Sequence, residues 1–400
     1  MHCREKVYKA PHFVLAIGSV GDIKRFIVMT SELLFCVGTR PELIKLAPLV
    51  IAAKDQLGQH SVRLLDTGQH NPTVLDPLYD FFRITPDFRL ETYRKGGTLT
   101  ALNARLLEQI GDGISATSPR IVVVQGDTAT ALQGALAGFL AGVNVAHVEA
   151  GLRSNNLYQP FPEEMNRSVI GRLATWHFAP THVAAQALKR EAVPGYIEVV
   201  GNSVVDAVRL VLPRLPRPLA GQRTPRERRN LVVTMHRREN WGEGVRRVAT
   251  AVARALNSDL ALVCQWVLHP NPNVADTVEA VFRALTPDVR SRITLLAPQP
   301  YPDMLTILRE SHILLTDSGG IQEEAICLGL PILVAREETE RPEVIETGWG
   351  RLVGTNSELI FTELTTQSRW QREVQEGLAN PLGDGYTSQA IMKTLAAALA

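Results

Sequence analysis

The chain has 400 residues, 45% of them hydrophobic and 21% charged. That composition excludes a fibrous or disordered protein and supplies enough length for two α/β domains, each with a core of its own. With 42 Lys and Arg against 41 Asp and Glu, the net charge is +1; no nucleic acid and no membrane surface is expected as a partner, and any anion site must be local.

Residues 1–30 precede the first strong strand–turn–helix pattern, and Met29 stands directly before it. They are expected to be an N-terminal extension or the product of a mis-assigned start. The run FVLAIGSVG is too short to span a bilayer and leads into Asp22, Lys24 and Arg25 with no small-residue cleavage site before them. Neither a signal peptide nor an anchor is expected. Cys3, Cys36, Cys264 and Cys327 lie far apart without a CxxC pair, which fits reduced thiols in a cytoplasmic protein and not a disulfide frame or metal site.

From residue 32, short apolar runs alternate with amphipathic stretches, the rhythm of parallel strands covered by helices. The first domain, 31–199, is predicted to hold strands at 33–37, 62–66, 121–125, 143–148, 176–179 and 197–200. After the first strand, Gly38-Thr39-Arg40-Pro41-Glu42 reads as a tight turn into a helix with proline near its first position, which aims Arg40 beyond the strand end. Gln125-Gly126-Asp127-Thr128 and the segment His147 to Arg153 close the next strands, and Pro160-Phe161-Pro162-Glu163-Glu164 opens a helix. Asp127, Glu149 and Glu163 thus stand on consecutive loops. Any one of them suits a helix cap or an ion pair, but three in series point to acid/base work. His147 ends a buried strand and reads as an oriented structural histidine.

The segment 211–230 is rich in Pro and Arg and lacks interleaved aromatic residues, so it reads as a solvated loop. The second domain, 200–380, is predicted to contain strands at 231–235, 261–269, 293–296, 312–316, 331–335 and 351–354. Met235-His236-Arg237-Arg238 follows one strand, and Thr316-Asp317-Ser318-Gly319-Gly320 runs from another into a helix. The glycines allow close backbone approach and the helix N-terminus offers free N–H groups, an arrangement suited to phosphate. Glu324, about one turn further, is within reach of ribose hydroxyls. Neither GxGxxG nor GxxxxGK[ST] occurs at these turns, and no cluster has metal-ligand spacing, so no cofactor and no metal is expected. Two Rossmann-like domains with a central cleft are the predicted architecture, with ligands at the carboxyl ends of the strands.

Taken in order, the motifs resemble those of the non-hydrolysing UDP-N-acetylglucosamine 2-epimerases of bacteria. The matching stretches include GTRPELIKLAPLV (38–50), TGQH (67–70), QGDT (125–128), HVEAGLRS (147–154), PFPEEMNRSVIGRLATWHFAPT (160–181), TMHRRENWGE (234–243), HPNPNV (269–274), TDSGGIQEEA (316–325), ERPEVIETG (340–348) and NPLGDG (380–385). The resemblance implies a fold of the glycosyltransferase-B type, with residues 381–400 forming a helix that returns to the first domain. It implies UDP-GlcNAc and UDP-ManNAc as substrates, UDP as the departing and returning group, and a homodimer serving cell-surface polysaccharide synthesis. On the matching positions it implies Asp127, Glu149, Glu163 and His236 as catalytic residues. Arg40, Lys45, Ser318, Gly319, Gly320, Glu324 and His269 are implied as substrate-binding residues. A hydrolysing epimerase, a UDP-GlcNAc-dependent glycosyltransferase and an epimerase of a modified UDP-sugar remain open beside this reading. The chain departs from the family where a second, activating UDP-GlcNAc is held: Pro72 and the pair Gly96-Gly97 stand where polar side chains are expected.

Overall fold

The structure, a computed structural model, describes residues 30–94, 96–216, 228–339, 341–366, 371, 374 and 377–400. The N-terminal extension up to residue 29 and most of the Pro/Arg-rich segment, 217–227, lie outside the described residues. The first sheet comprises β1 (Leu33–Val37), β2 (Val62–Asp66), β3 (Phe88–Arg89), β4 (Ile121–Gln125), β5 (Asn144–Val148), β6 (Trp176–Ala179) and β7 (Tyr196–Val199). The second comprises β8 (Arg229–Thr234), β9 (Leu262–Val267), β10 (Ile293–Leu296), β11 (Ile313–Thr316), β12 (Ile332–Val334) and β13 (Gly350–Leu352). Their orders are β3-β2-β1-β4-β5-β6-β7 and β10-β9-β8-β11-β12-β13, with every described pairing parallel.

Both sheets are doubly wound, so their central strands are covered on two faces. That is why LLFCV in β1 and IVVVQ in β4 are buried throughout and read as unbroken apolar runs, not as alternating ones. Among the described residues one short strand, β3, was not predicted; it is a two-residue edge segment paired with the end of β2, and FR carries no apolar run.

The helices that matter for the cleft are α1 (Arg40–Leu57), α2 (Pro72–Phe82), α3 (Leu99–Thr117), α4 (Ala129–Leu140), α5 (Glu163–Leu173), α6 (His182–Arg190) and α7 (Ser203–Val211) in the first part of the chain. In the second part they are α8 (Glu243–Ser258), α9 (Pro272–Arg283), α10 (Pro287–Arg290), α11 (Tyr301–Arg309), α12 (Gly319–Cys327) and α13 (Pro342–Glu346). Helix α7 packs on α1 and also on α12, so it touches both halves. The C-terminal helix, Thr387–Leu399, lies on α1 and α7. It is fixed there by Asp206, whose carboxylate accepts from Thr387 N (3.2 Å) and Ser388 N (2.7 Å). The rings of Phe82 on α2 and Tyr301 on α11 meet at 6.3 Å between centroids, a further apolar contact between the halves.

Candidate active site

Strand-end loops of the first sheet build one wall. Gly38 turns the chain from β1 into α1, and its N–H donates to Glu42 Oε2 (3.1 Å). The other Glu42 oxygen accepts from Thr128 Oγ1 (2.6 Å), which ties the turn bearing Arg40 to the turn bearing Asp127. Complete burial pushes the Glu42 carboxyl up to about 7. His147 supports the same turn: its Nε2 donates to Gly126 O (2.8 Å), and burial drops its ring to about 3, so it is a neutral orienting group.

Asp127 is held by Arg167 of α5, whose Nε and Nη2 lie 2.8 and 2.6 Å from Oδ2. Glu163 begins the same helix. Its Oε2 is buried without a hydrogen-bond partner among the described residues, and burial, reinforced by Asp127, raises its carboxyl against the pull of Arg167 and Arg237. The neighbouring Glu164 has another task. It accepts from the N–H groups of Ser154 (3.0 Å) and Asn155 (3.1 Å) and from Arg167 Nη1 (3.0 Å), which fixes the loop between β5 and α5.

The opposite wall comes from the second sheet. Asp317, fully buried, accepts from His236 N (2.8 Å), Arg237 N (3.0 Å) and Asn240 Nδ2 (2.9 Å), so the loops after β8 and β11 are locked together by one carboxylate. The His236 ring meets His269 edge-on at 5.6 Å, and Trp241 lies 5.7 Å from His269. Burial lowers the His236 ring, with Asp317 opposing, and so favours neutral imidazole. Ser318 caps α12, and the N–H groups of Gly319 and Gly320, in its first turn, fall outside the intrahelical ladder. Glu324 lies deeper in α12. Burial pushes its carboxyl up to about 7, opposed first by Arg40 from the other wall.

Four charged side chains join the walls. Glu149, which follows β5 in a left-handed conformation (φ 63°), lies 2.5 Å from Lys45 Nζ and 3.6 Å from Arg341 Nη2. Glu323 of α12 lies 2.8 Å from the same Lys45 Nζ and 2.5 Å from Arg341 Nε. Buried charges persist only where paired, and here two carboxylates alternate with two cations. Gln125 Nε2 also donates to Glu149. Burial raises the Glu149 carboxyl, with Lys45 the first opposing charge.

The structure therefore brings Asp127 and Glu163 together around Arg167, and sets Glu149 apart with Lys45. Arg40 and Glu324 face each other across the cleft, and His236, His269 and the start of α12 share the second wall. Sequence reasoning missed Glu42, Arg167, Glu323 and Arg341; all four lie in motif stretches, and Glu323 stands beside a glutamate that was singled out. Among the described residues, no group of three or more His, Cys, Asp or Glu side chains is placed to hold a metal, and no helix is long and apolar enough to cross a membrane.

Two Rossmann-like domains that meet across such a cleft define an α/β protein of the glycosyltransferase-B type. Comparison with known proteins narrows this. The family model described as UDP-N-acetylglucosamine 2-epimerase matches residues 53–396. The UDP-N-acetylglucosamine 2-epimerase of Yersinia pestis is 40% identical over 376 residues, covering 90% of this chain and 96% of that one. The crystal structure of UDP-GlcNAc 2-epimerase from Neisseria meningitidis bound to UDP-GlcNAc superposes with a TM-score of 0.82 at 33% identity, over 92% of this chain and all of that one (100%). The Methanocaldococcus jannaschii enzyme in complex with UDP-GlcNAc and UDP gives 0.75 at 29% identity, again over 92% and 100% of the two chains. The chain belongs to the UDP-N-acetylglucosamine 2-epimerase family and is an isomerase.

Proposed function

We propose that the protein interconverts UDP-GlcNAc and UDP-ManNAc by anti elimination and re-addition of UDP, for cell-surface polysaccharide synthesis, as a cytoplasmic homodimer. The C1–O bond breaks with its electron pair leaving on UDP, a base takes the C2 proton, and C1=C2 forms as a 2-acetamidoglucal. UDP then returns to C1 while a proton is delivered to the other face of C2. Atoms and electrons balance without an external oxidant or reductant. The observation that carries this reading is the pairing of a carboxylate-rich wall with an open helix N-terminus across one cleft.

Departure of UDP leaves positive character at C1 that acidifies C2, so stabilising the leaving diphosphate is half of the catalysis. The N–H groups of Gly319 and Gly320, the α12 dipole and Arg40 supply that stabilisation, with the Ser318 N–H held by Thr316 Oγ1 (3.0 Å), and neutral His236 donates a hydrogen bond beside them. Two faces of C2 require two proton carriers within hydrogen-bond reach. Asp127, Glu149 and Glu163 form that group, and Glu163, whose buried oxygen has no partner, is best suited to hold a proton at rest. Glu324 and His269 hold the nucleotide, and Lys45 holds Glu149 in place.

The test is incubation with UDP-GlcNAc in deuterated water, followed by NMR. Deuterium at C2 in a mixture of gluco and manno nucleotide sugars is expected. Release of free N-acetylmannosamine, or turnover without C2 exchange, overturns the reading.

A further inference from the structure

The geometry points to Glu323 as a positioning residue: its carboxylate holds Lys45 of the first domain and Arg341 of the second on either side of Glu149, and so sets the charge around the base in the assembled cleft. This inference rests on the epimerase reading above. Glu323 is fully buried, on the helix whose first turn faces the cleft. Its two oxygens are divided between the walls, Oε1 toward Arg341 Nε (2.5 Å) and Oε2 toward Lys45 Nζ (2.8 Å). Each cation then reaches Glu149, at 2.5 Å for Lys45 and 3.6 Å for Arg341. The ring of four closes only when both domains contribute.

The charges facing Glu149 are Lys45 from α1, Glu323 from α12, and Arg341 with Glu343 at the start of α13. Removing the negative charge of Glu323 leaves two cations sharing one carboxylate. Lys45 then binds Glu149 alone and more tightly, which stabilises the anion and makes it a weaker base. Removing Arg341 does the reverse. Because a general base must be ionised to act, these changes move the acidic limb of the pH–rate profile in opposite directions.

The experiment is the pH dependence of kcat and kcat/KM for UDP-GlcNAc in the full chain, with Glu323→Gln and Arg341→Gln beside the wild type. Glu323→Gln is expected to lower kcat at neutral pH tenfold or more with KM changed less than threefold, and to move the acidic limb to lower pH. Arg341→Gln is expected to move the limb to higher pH. In the Glu149→Gln background, Glu323→Gln should cost less than twofold further, since the base it positions is gone. A limb that stays fixed in both variants, or losses that multiply in the double variant, overturns the inference. If Glu323→Gln fails to fold, as judged by circular dichroism, Arg341→Gln decides alone by the same criterion. Wild-type exchange at C2 is the control: its absence overturns the epimerase reading, and the charge inference is then decided by whether UDP affinity, titrated against pH by calorimetry, shifts in opposite directions in the two variants.

Discussion

Two glycine turns face each other across the cleft, and they use glycine for opposite reasons. A Cβ built on Gly38 would lie 2.0 Å from Thr130 Oγ1, 2.4 Å from Thr67 Oγ1 and 2.9 Å from Gln69 Cβ. The space is filled because the Thr67 and Thr130 hydroxyls bond each other (2.7 Å) and Gln69 Oε1 accepts from both the N–H and the hydroxyl of Thr130. A Cβ on Gly320 would meet nothing within 4 Å, and one on Gly319 only the Arg341 guanidinium at 3.9 Å. Glycine in the first turn is a packing requirement; in the second it keeps a helix N-terminus bare. A GT or GG pair in a sequence does not reveal which of these it is.

Breaking the crowded turn should have the largest effect. Gly38→Ala overpacks a buried hydroxyl pair and is expected to destabilise by about 3 kcal/mol, seen as a lowered midpoint in denaturant unfolding. Equal stability would mean that the threonines yield freely. Next come the carboxylates of the same wall: Asp127→Asn, Glu149→Gln and Glu163→Gln should each reduce turnover about a hundredfold or more while UDP affinity stays within a few-fold, because proton transfer and charge stabilisation are what they lose. Near-native rates in all three would remove the acid/base assignment.

The pH dependence of stability separates the walls further. Glu42 titrates from 4.5 in the unfolded chain to about 7 when folded. The folded state therefore binds more protons between those values, and its contribution is complete below 4.5 and lost as pH rises through 7. Glu42→Gln should remove a loss on the order of 3 kcal/mol across that window. The comparison is with wild type at each pH, because neutral His147 works in the opposite direction, destabilising the fold as pH falls from 6.5 toward 3. In the open turn, Gly320→Ala should leave stability unchanged or slightly raised, yet weaken UDP binding about tenfold by calorimetry. Unchanged affinity would show that no anion approaches that backbone.

The smallest effect concerns kinetics. Asn71 caps α2 and accepts from Thr73 N (3.1 Å), and Thr98 caps α3 and accepts from Ala101 N (3.2 Å). Gln69 Oε1 is already committed to Thr130. With Pro72, Gly96 and Gly97 adding no polar side chains, rate against UDP-GlcNAc concentration is expected to be hyperbolic, and reaction from pure UDP-ManNAc to begin without a lag. Sigmoidal kinetics would show an activating second site.

Much of this was legible in the chain because parallel strands buried on both faces are written as continuous apolar runs that end in functional turns. Asp127 and Glu149 stand immediately beyond such runs, and the SGG segment opens a helix. What is not written is orientation. Glu163 and Glu164 are adjacent and chemically identical, yet one carries a buried oxygen with no hydrogen-bond partner among the described residues and the other binds two loop N–H groups. Glu323 and Arg341 find Lys45 and Glu149 only because two domains dock, and no local spacing encodes contacts across about 190 and 280 residues.

Helix α7 carries a mechanical consequence. The chain leaves α7 toward the second sheet from its C-terminal end, after Val211, and passes its N-terminal end again where Asn202 N donates to Leu382 O (2.7 Å). Nine residues at 1.5 Å each separate these attachments by roughly 13 Å. Rotation about the line through two such points stretches neither connection, so any opening of the cleft is expected to turn about α7. Because α12 packs on α7, it lies close to that line, and the far rim of the cleft is expected to sweep the longest arc.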